Sequence, residues 1–135
     1  MPHRLYPSVA QRARHLCEYC LASERAFNLE FEVEHIVPER DGGQDELDNL
    51  ALACRACNVH KGATTRAQDP QTRETTLLFN PRIDDWSEHF QLRLDTFEIE
   101  GLTPTGRATV RRLGMNRLIA VRARRLWMTR LFLPH

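Results

Sequence analysis

The chain has no apolar run of the roughly 18 residues that a membrane-spanning helix needs, so membrane insertion is not expected. Its N-terminus has no charged stretch followed by an apolar run, so no secretory leader is expected and a cytoplasmic location is. Net charge is nearly absent, at +1 from 19 Lys and Arg against 18 Asp and Glu, so bulk charge selects no partner. There is no internal repeat and no low-complexity segment. What remains is the composition of an ordinary soluble domain, 41% hydrophobic and 27% charged. At 135 residues a single domain, 1–135, is the simplest reading. A domain this small gains from a metal staple.

Lysine is scarce: Lys61 stands alone, and every other formally cationic residue is Arg. Acid is absent from Gly101 to His135, where Arg107, Arg111, Arg112, Arg117, Arg122, Arg124, Arg125 and Arg130 all fall. Arg makes planar, bidentate contacts with phosphate and carboxylate that Lys cannot copy. The tail is read either as helices that balance the acids of the middle segment or as a surface that touches phosphate.

Cysteine is confined to two C-x2-C pairs, Cys17 with Cys20 and Cys54 with Cys57. Two disulfides are one reading, disfavoured where no secretory leader is evident. Four thiolates around Zn2+ are the other. An all-cysteine tetrahedron leaves no open position, so such a zinc is structural.

Local patterns place the elements. Ser8 to His15 reads as a short helix capped by Ser8, delivering the chain to the first cysteine knuckle. Phe27, Leu29, Phe31 and Val33 alternate with polar residues, which predicts a strand or hairpin over 27–36, stopped by Pro38. Arg40 to Asp48 is a polar loop hinged at Gly42-Gly43. A helix is expected from Cys57 to about Arg66, closed or kinked by Gly62. Gln68 to Thr76 reads as a surface connection. Asp84 to Glu88 suits one helical turn capped by Asp. A β-hairpin follows over Phe90 to Ile99. Helices are expected from Thr105 to Leu113, interrupted at Gly114, and from about Asn116 to Leu131.

Between the knuckles lie Glu34-His35-Ile36-Val37-Pro38, Gly42-Gly43 and Asn49-Leu50, and the second knuckle continues into Asn58, Lys61 and Gly62. This combination resembles the HNH (His-Asn-His) endonucleases, in the branch with two zinc knuckles. The resemblance implies an α+β fold: a ββα-metal core over 15–66 with a four-cysteine structural zinc. A C-terminal extension over 67–135, a β-hairpin and Arg-rich helices, then packs on that core. It implies that His35 is the general base, that Asn49 holds the loop and orients His35, and that Glu34 and Asn58 bind a catalytic divalent ion. Arg40, Arg55 and Lys61 are candidates for phosphate contact.

The chemistry of these residues agrees. Phosphodiester hydrolysis needs a base of near-neutral pKa, which His supplies, and a cation to neutralise charge at the phosphate. A carboxylate and a carboxamide oxygen are hard ligands that favour Mg2+ or Mn2+. Neighbouring strand residues point to opposite faces, so Glu34 and His35 can share a site only if the strand ends or twists after Val33. Two departures make the metal site poor in imidazole: Asn58 where His is common, and Gly62 where nuclease colicins carry a further His. His60 lies at the wrong offset and is expected at the surface.

The expected function is a metal-dependent endonuclease acting on DNA, most simply double-stranded. The resemblance is compatible with a nickase or a defence nuclease, working alone, as a homodimer or in a larger assembly. The alternatives are a zinc-stabilised nucleic-acid-binding module and a protein-interaction module, both without cleavage.

Overall fold

Pro7 fixes the backbone near the start of the first helix, α1, which spans Tyr6–Arg12 rather than starting at a Ser8 cap. A computed structural model describes residues 2–132. Residues 133–135 and the Arg130 side chain, both in the Arg-rich tail, lie outside the described set.

Strand β1, Glu32–His35, pairs antiparallel with β2, Leu50–Ala53. The register sets Glu34 opposite Ala51 and His35 opposite Leu50. Phe27 and Leu29, expected in the strand, lie outside it and are exposed. Alternation alone could not distinguish them from β1, because they find no partner strand to pair with. Every residue of β2 is buried, α1 covers the strand through Val9 and Ala10, and Leu50 and Leu52 sit in the core. Burial of each such leucine stabilises the fold by about 1.5–3 kcal/mol.

The first knuckle closes the outer edge of β2. Glu18 donates its backbone N–H to Leu52 O at 2.8 Å, and its carboxylate accepts from Leu52 N at 2.8 Å. Arg82 pairs with Glu18 and donates to Leu50 O, and Arg12 donates to the same carbonyl at 2.6 Å. The edge strand therefore offers no free ladder to another chain.

Helix α2, Arg55–Lys61, starts two residues earlier than the expected Cys57 and stops at Gly62, whose φ is +58°. The segment expected as a plain connection instead forms a hairpin, β3 (Arg66–Gln68) with β4 (Thr75–Leu77). Its turn is organised by Asp69, which accepts from Gln71 N at 3.0 Å and from Thr72 Oγ1 at 2.9 Å.

The extension then follows the expected order. Asp85 caps α3 (Trp86–His89). β5 (Phe90–Leu92) pairs with β6 (Ile99–Gly101). Thr103 caps α4 (Pro104–Leu113), which ends at Gly114 in the left-handed region. α5 spans Leu118–Phe132. A Cβ on Gly106 would lie 2.0 Å from His89 O, so only glycine lets α4 lie this close to that chain.

The fold is thus mixed α and β, with three small antiparallel sheets and five helices among the described residues. The tail arginines divide in use. Arg107 forks onto Asp69 at 3.0 and 2.9 Å, and buried Arg124 donates to Phe97 O and Met115 O. Arg111 and Arg122 face solvent. No helix among the described residues is long and apolar enough to cross a membrane.

Candidate metal centre and active groove

The four cysteines converge. All four Sγ atoms lie within 4.8 Å of one another, and Cys20 Sγ is 3.7 Å from Cys54 Sγ. A tetrahedral ion with bonds of about 2.3 Å to sulfur has edges of about 3.8 Å, so the spacing fits zinc. It does not fit disulfides, and all four cysteines are free. Each knuckle is shaped by an N–H···S contact, from Cys20 N to Cys17 Sγ at 3.5 Å and from Cys57 N to Cys54 Sγ at 3.4 Å. Burial pushes the Cys17 thiol well above its usual range, while hydrogen bonds from the neighbouring thiols draw Cys54 well below it. Four sulfurs this close and this buried cannot all be thiolates without a cation between them.

Beside this centre, where β1 meets α2, is an open groove of about 280 Å³. Glu34, His35, Glu39, Asn58, Gly62 and Ala63 are among its lining residues. Glu34 and Asn58 therefore reach one groove together with His35, although β1 continues through His35.

Glu34 is nine-tenths or more buried. Its Oε2 accepts from Tyr19 Oη at 2.6 Å, and its Oε1 lies 2.5 Å from Lys61 Nζ. By angle, Oε1 has no well-aligned donor, so the Lys61 contact is an ion pair rather than a directed hydrogen bond. Burial pushes the Glu34 carboxyl above its usual range, and Lys61 and Tyr19 pull it part of the way back. An ionised carboxylate has about four acceptor positions. Two are engaged, so lone pairs remain for a cation, and Oε1 is the less well satisfied oxygen. With the carboxamide oxygen of Asn58, the donor set fits a hard divalent ion.

Lys61 departs from expectation. It is buried, and besides pairing with Glu34 it donates to Ile36 O at 3.0 Å. It holds the core and is not presented to phosphate. Arg40 and Arg55 are exposed; Arg40 reaches Ala63 O at the groove, and Arg55 lies 3.5 Å from Glu32. His60 is exposed and bonded to Ala56 O, as expected of a surface residue.

Asn49 clamps the loop. Its Oδ1 accepts from Val37 N at 3.0 Å, and its Nδ2 donates to Val37 O at 3.0 Å and to Gln44 O at 2.9 Å. The clamp needs glycine at 43, because a Cβ there would lie 1.8 Å from Val37 O. Asn49 makes no hydrogen bond to His35 among the described residues. The His35 contact is made by Asp45, with Oδ1 3.0 Å from Nε2, and Glu39 lies 3.4 Å from the same nitrogen. His3 also reaches Asp45, at 2.6 Å.

Residues 17–64 match the HNH endonuclease family. Comparisons with curated proteins and with solved structures gave no match. The HNH segment contains both knuckles, β1, the clamped loop, β2 and α2, and so corresponds to a ββα-metal core. The match supports a nuclease assignment for this segment and implies a nucleic-acid substrate. Sequence reasoning missed Asp45, His3 and the Tyr19–Glu34–Lys61 cluster. Only for Lys61 was there a local signal: it follows Cys57 by one helical turn and so shares that cysteine's inward face.

Proposed function

We propose that this chain is a metal-dependent endonuclease that hydrolyses DNA phosphodiester bonds in the groove between β1 and α2. The observation that carries the reading is that His35, Glu34 and Asn58 line one open groove within the HNH segment. Mg2+ or Mn2+, held by Glu34 and Asn58, would neutralise charge building on the phosphate and on the leaving oxygen. His35 takes the proton from the attacking water. Asn49 keeps the loop closed over the strand end. Tyr19 and Lys61 hold the Glu34 carboxylate in place, and Arg40 and Arg55 contact the phosphate backbone beside the groove.

The Glu34–Lys61 pair favours a second reading. If that carboxylate serves packing alone, the chain is a zinc-stabilised nucleic-acid-binding module without cleavage. A plasmid-nicking assay separates the two. The expected result is conversion of supercoiled to open-circular DNA with Mg2+ or Mn2+, abolished by EDTA. Loss of a general base should slow nicking by about 100-fold or more in His35→Ala, and Asn58→Ala should require more metal. Nicking at the wild-type rate in His35→Ala rejects the catalytic assignment; salt-sensitive DNA retention with no nicking supports the second reading.

A further inference from the structure

The hydrogen bonds around His35 begin far upstream. Leu5 N–H donates to His3 Nδ1 at 3.0 Å. A backbone N–H can only donate, so this Nδ1 bears a lone pair. Neutral His3 then carries its proton on Nε2, which lies 2.6 Å from Asp45 Oδ1. The same Oδ1 lies 3.0 Å from His35 Nε2. An ionised carboxylate only accepts, and Asp45, a part-exposed aspartate, is ionised at neutral pH because the ordinary carboxylate range lies well below it. His35 Nε2 must therefore be the second donor. In a neutral imidazole the other nitrogen, Nδ1, is left with the lone pair. Among the described residues no protein group bonds that nitrogen.

We propose that Asp45, backed by His3, is a positioning residue that fixes the His35 ring and holds its proton on Nε2, leaving Nδ1 as the atom that accepts a proton. The inference rests on the nuclease reading for its consequence, but not for the tautomer itself. It also gives the loop clamp a route to the imidazole. Asn49 grips the carbonyl of Gln44, Asp45 is the next residue, and Asp45 grips the ring.

The same three side chains bring ligand atoms within 4.8 Å of one another, close enough to hold a metal ion. Proton accounting favours the hydrogen-bonded chain. A metal on His3 Nε2 would move the His3 proton to Nδ1, directly against the Leu5 N–H donor.

The test uses the full zinc-loaded chain with 15N-labelled histidine. Long-range proton–nitrogen correlation spectra, recorded without DNA at a pH above the ordinary His range, should show His35 as the Nε2–H tautomer. In Asp45→Ala that signature should give way to a tautomer mixture, with zinc content and helical signal unchanged. In nicking kinetics with Mg2+, Asp45→Ala should lower kcat about 10-fold or more and leave KM within about twofold, because the variant disturbs the base and not DNA binding. Asp45→Asn, which keeps an acceptor oxygen, should recover most of the loss, and His3→Ala should lose less than Asp45→Ala. An Nδ1–H tautomer in the wild type, or one unchanged in Asp45→Ala, overturns the proposal. So does a second bound Zn2+ per chain that disappears in His3→Ala. Absence of nicking altogether, with the tautomer signature intact, counts against the nuclease reading alone.

Discussion

Lys61 illustrates how far a single residue can sit from its sequence appearance. A lone lysine just past a metal-binding motif looks like a phosphate contact, yet its ammonium lies against Glu34 in the core. Removing one partner of a buried ion pair leaves the other charge without compensation, which costs about 3–5 kcal/mol. Lys61→Met should therefore lower the melting temperature by on the order of 10 °C. The double variant Lys61→Met with Glu34→Gln should recover more than half of that loss, because neither charge is then buried alone. Differential scanning calorimetry of the three zinc-loaded proteins checks this; a double variant no more stable than the single would mean that the cluster is held by something other than charge pairing. Helical spacing from Cys57 carries a signal for the inward face, but the sequence reading makes Lys61 a phosphate contact. The depth of burial did not follow from it, because it is set by Tyr19 and Glu34, which arrive from a knuckle and a strand distant in sequence.

Among the elements, the β3–β4 hairpin was the one least legible in the sequence. Its strands are short, carry no apolar alternation and flank a turn rich in polar residues. What orders them is one carboxylate, Asp69, which organises the turn and receives the Arg107 fork from α4. That fork holds the Asp69 carboxyl well below the usual carboxylate range. A carboxyl whose pKa is depressed in the folded state contributes stability above its unfolded value of about 3.9. That contribution is lost as pH falls through the folded value. Urea unfolding should thus show wild type more stable than Asp69→Asn at pH 7, with the gap closing as pH falls from about 4 toward 2. A gap independent of pH would mean that shape, not charge, is what the hairpin needs. By contrast, the β5–β6 hairpin and α4 were legible, because alternation and a terminating glycine are local signals, although the cap proved to be Thr103 and not Thr105.

At the scale of the whole molecule, the two knuckles bracket β1, the clamped loop and β2, and the second leads into α2. One ion at four sulfurs therefore joins every element that lines the groove. Structural zinc contributes about 10–16 kcal/mol in small metal-folded domains, which equals or exceeds the net stability of about 5–15 kcal/mol typical of a domain. Stripping the metal with a strong chelator should therefore release one zinc per chain and abolish the cooperative melting transition. Cys54→Ser should behave in the same way even with excess metal. Metal analysis alongside far-UV circular dichroism reads both; full retention of the transition in metal-free protein would remove zinc from the folding account. The cysteine spacing made this centre legible from the sequence alone, and the order of motif residues made the groove legible. His3 and Asp45 were not, since no periodicity links a residue near the N-terminus to a loop position.

Cys57 is the last of the four sulfurs to be synthesised, and Asn58 comes directly after it. A ribosome that has released only β1 has produced the imidazole of His35 without the frame that aims it. The thiolate set becomes complete only when the strand pair, the loop and the start of α2 are all outside the exit tunnel. Chain order alone thus means that a half-made chain carries no assembled groove, and on the proposed nuclease reading no site that could cut.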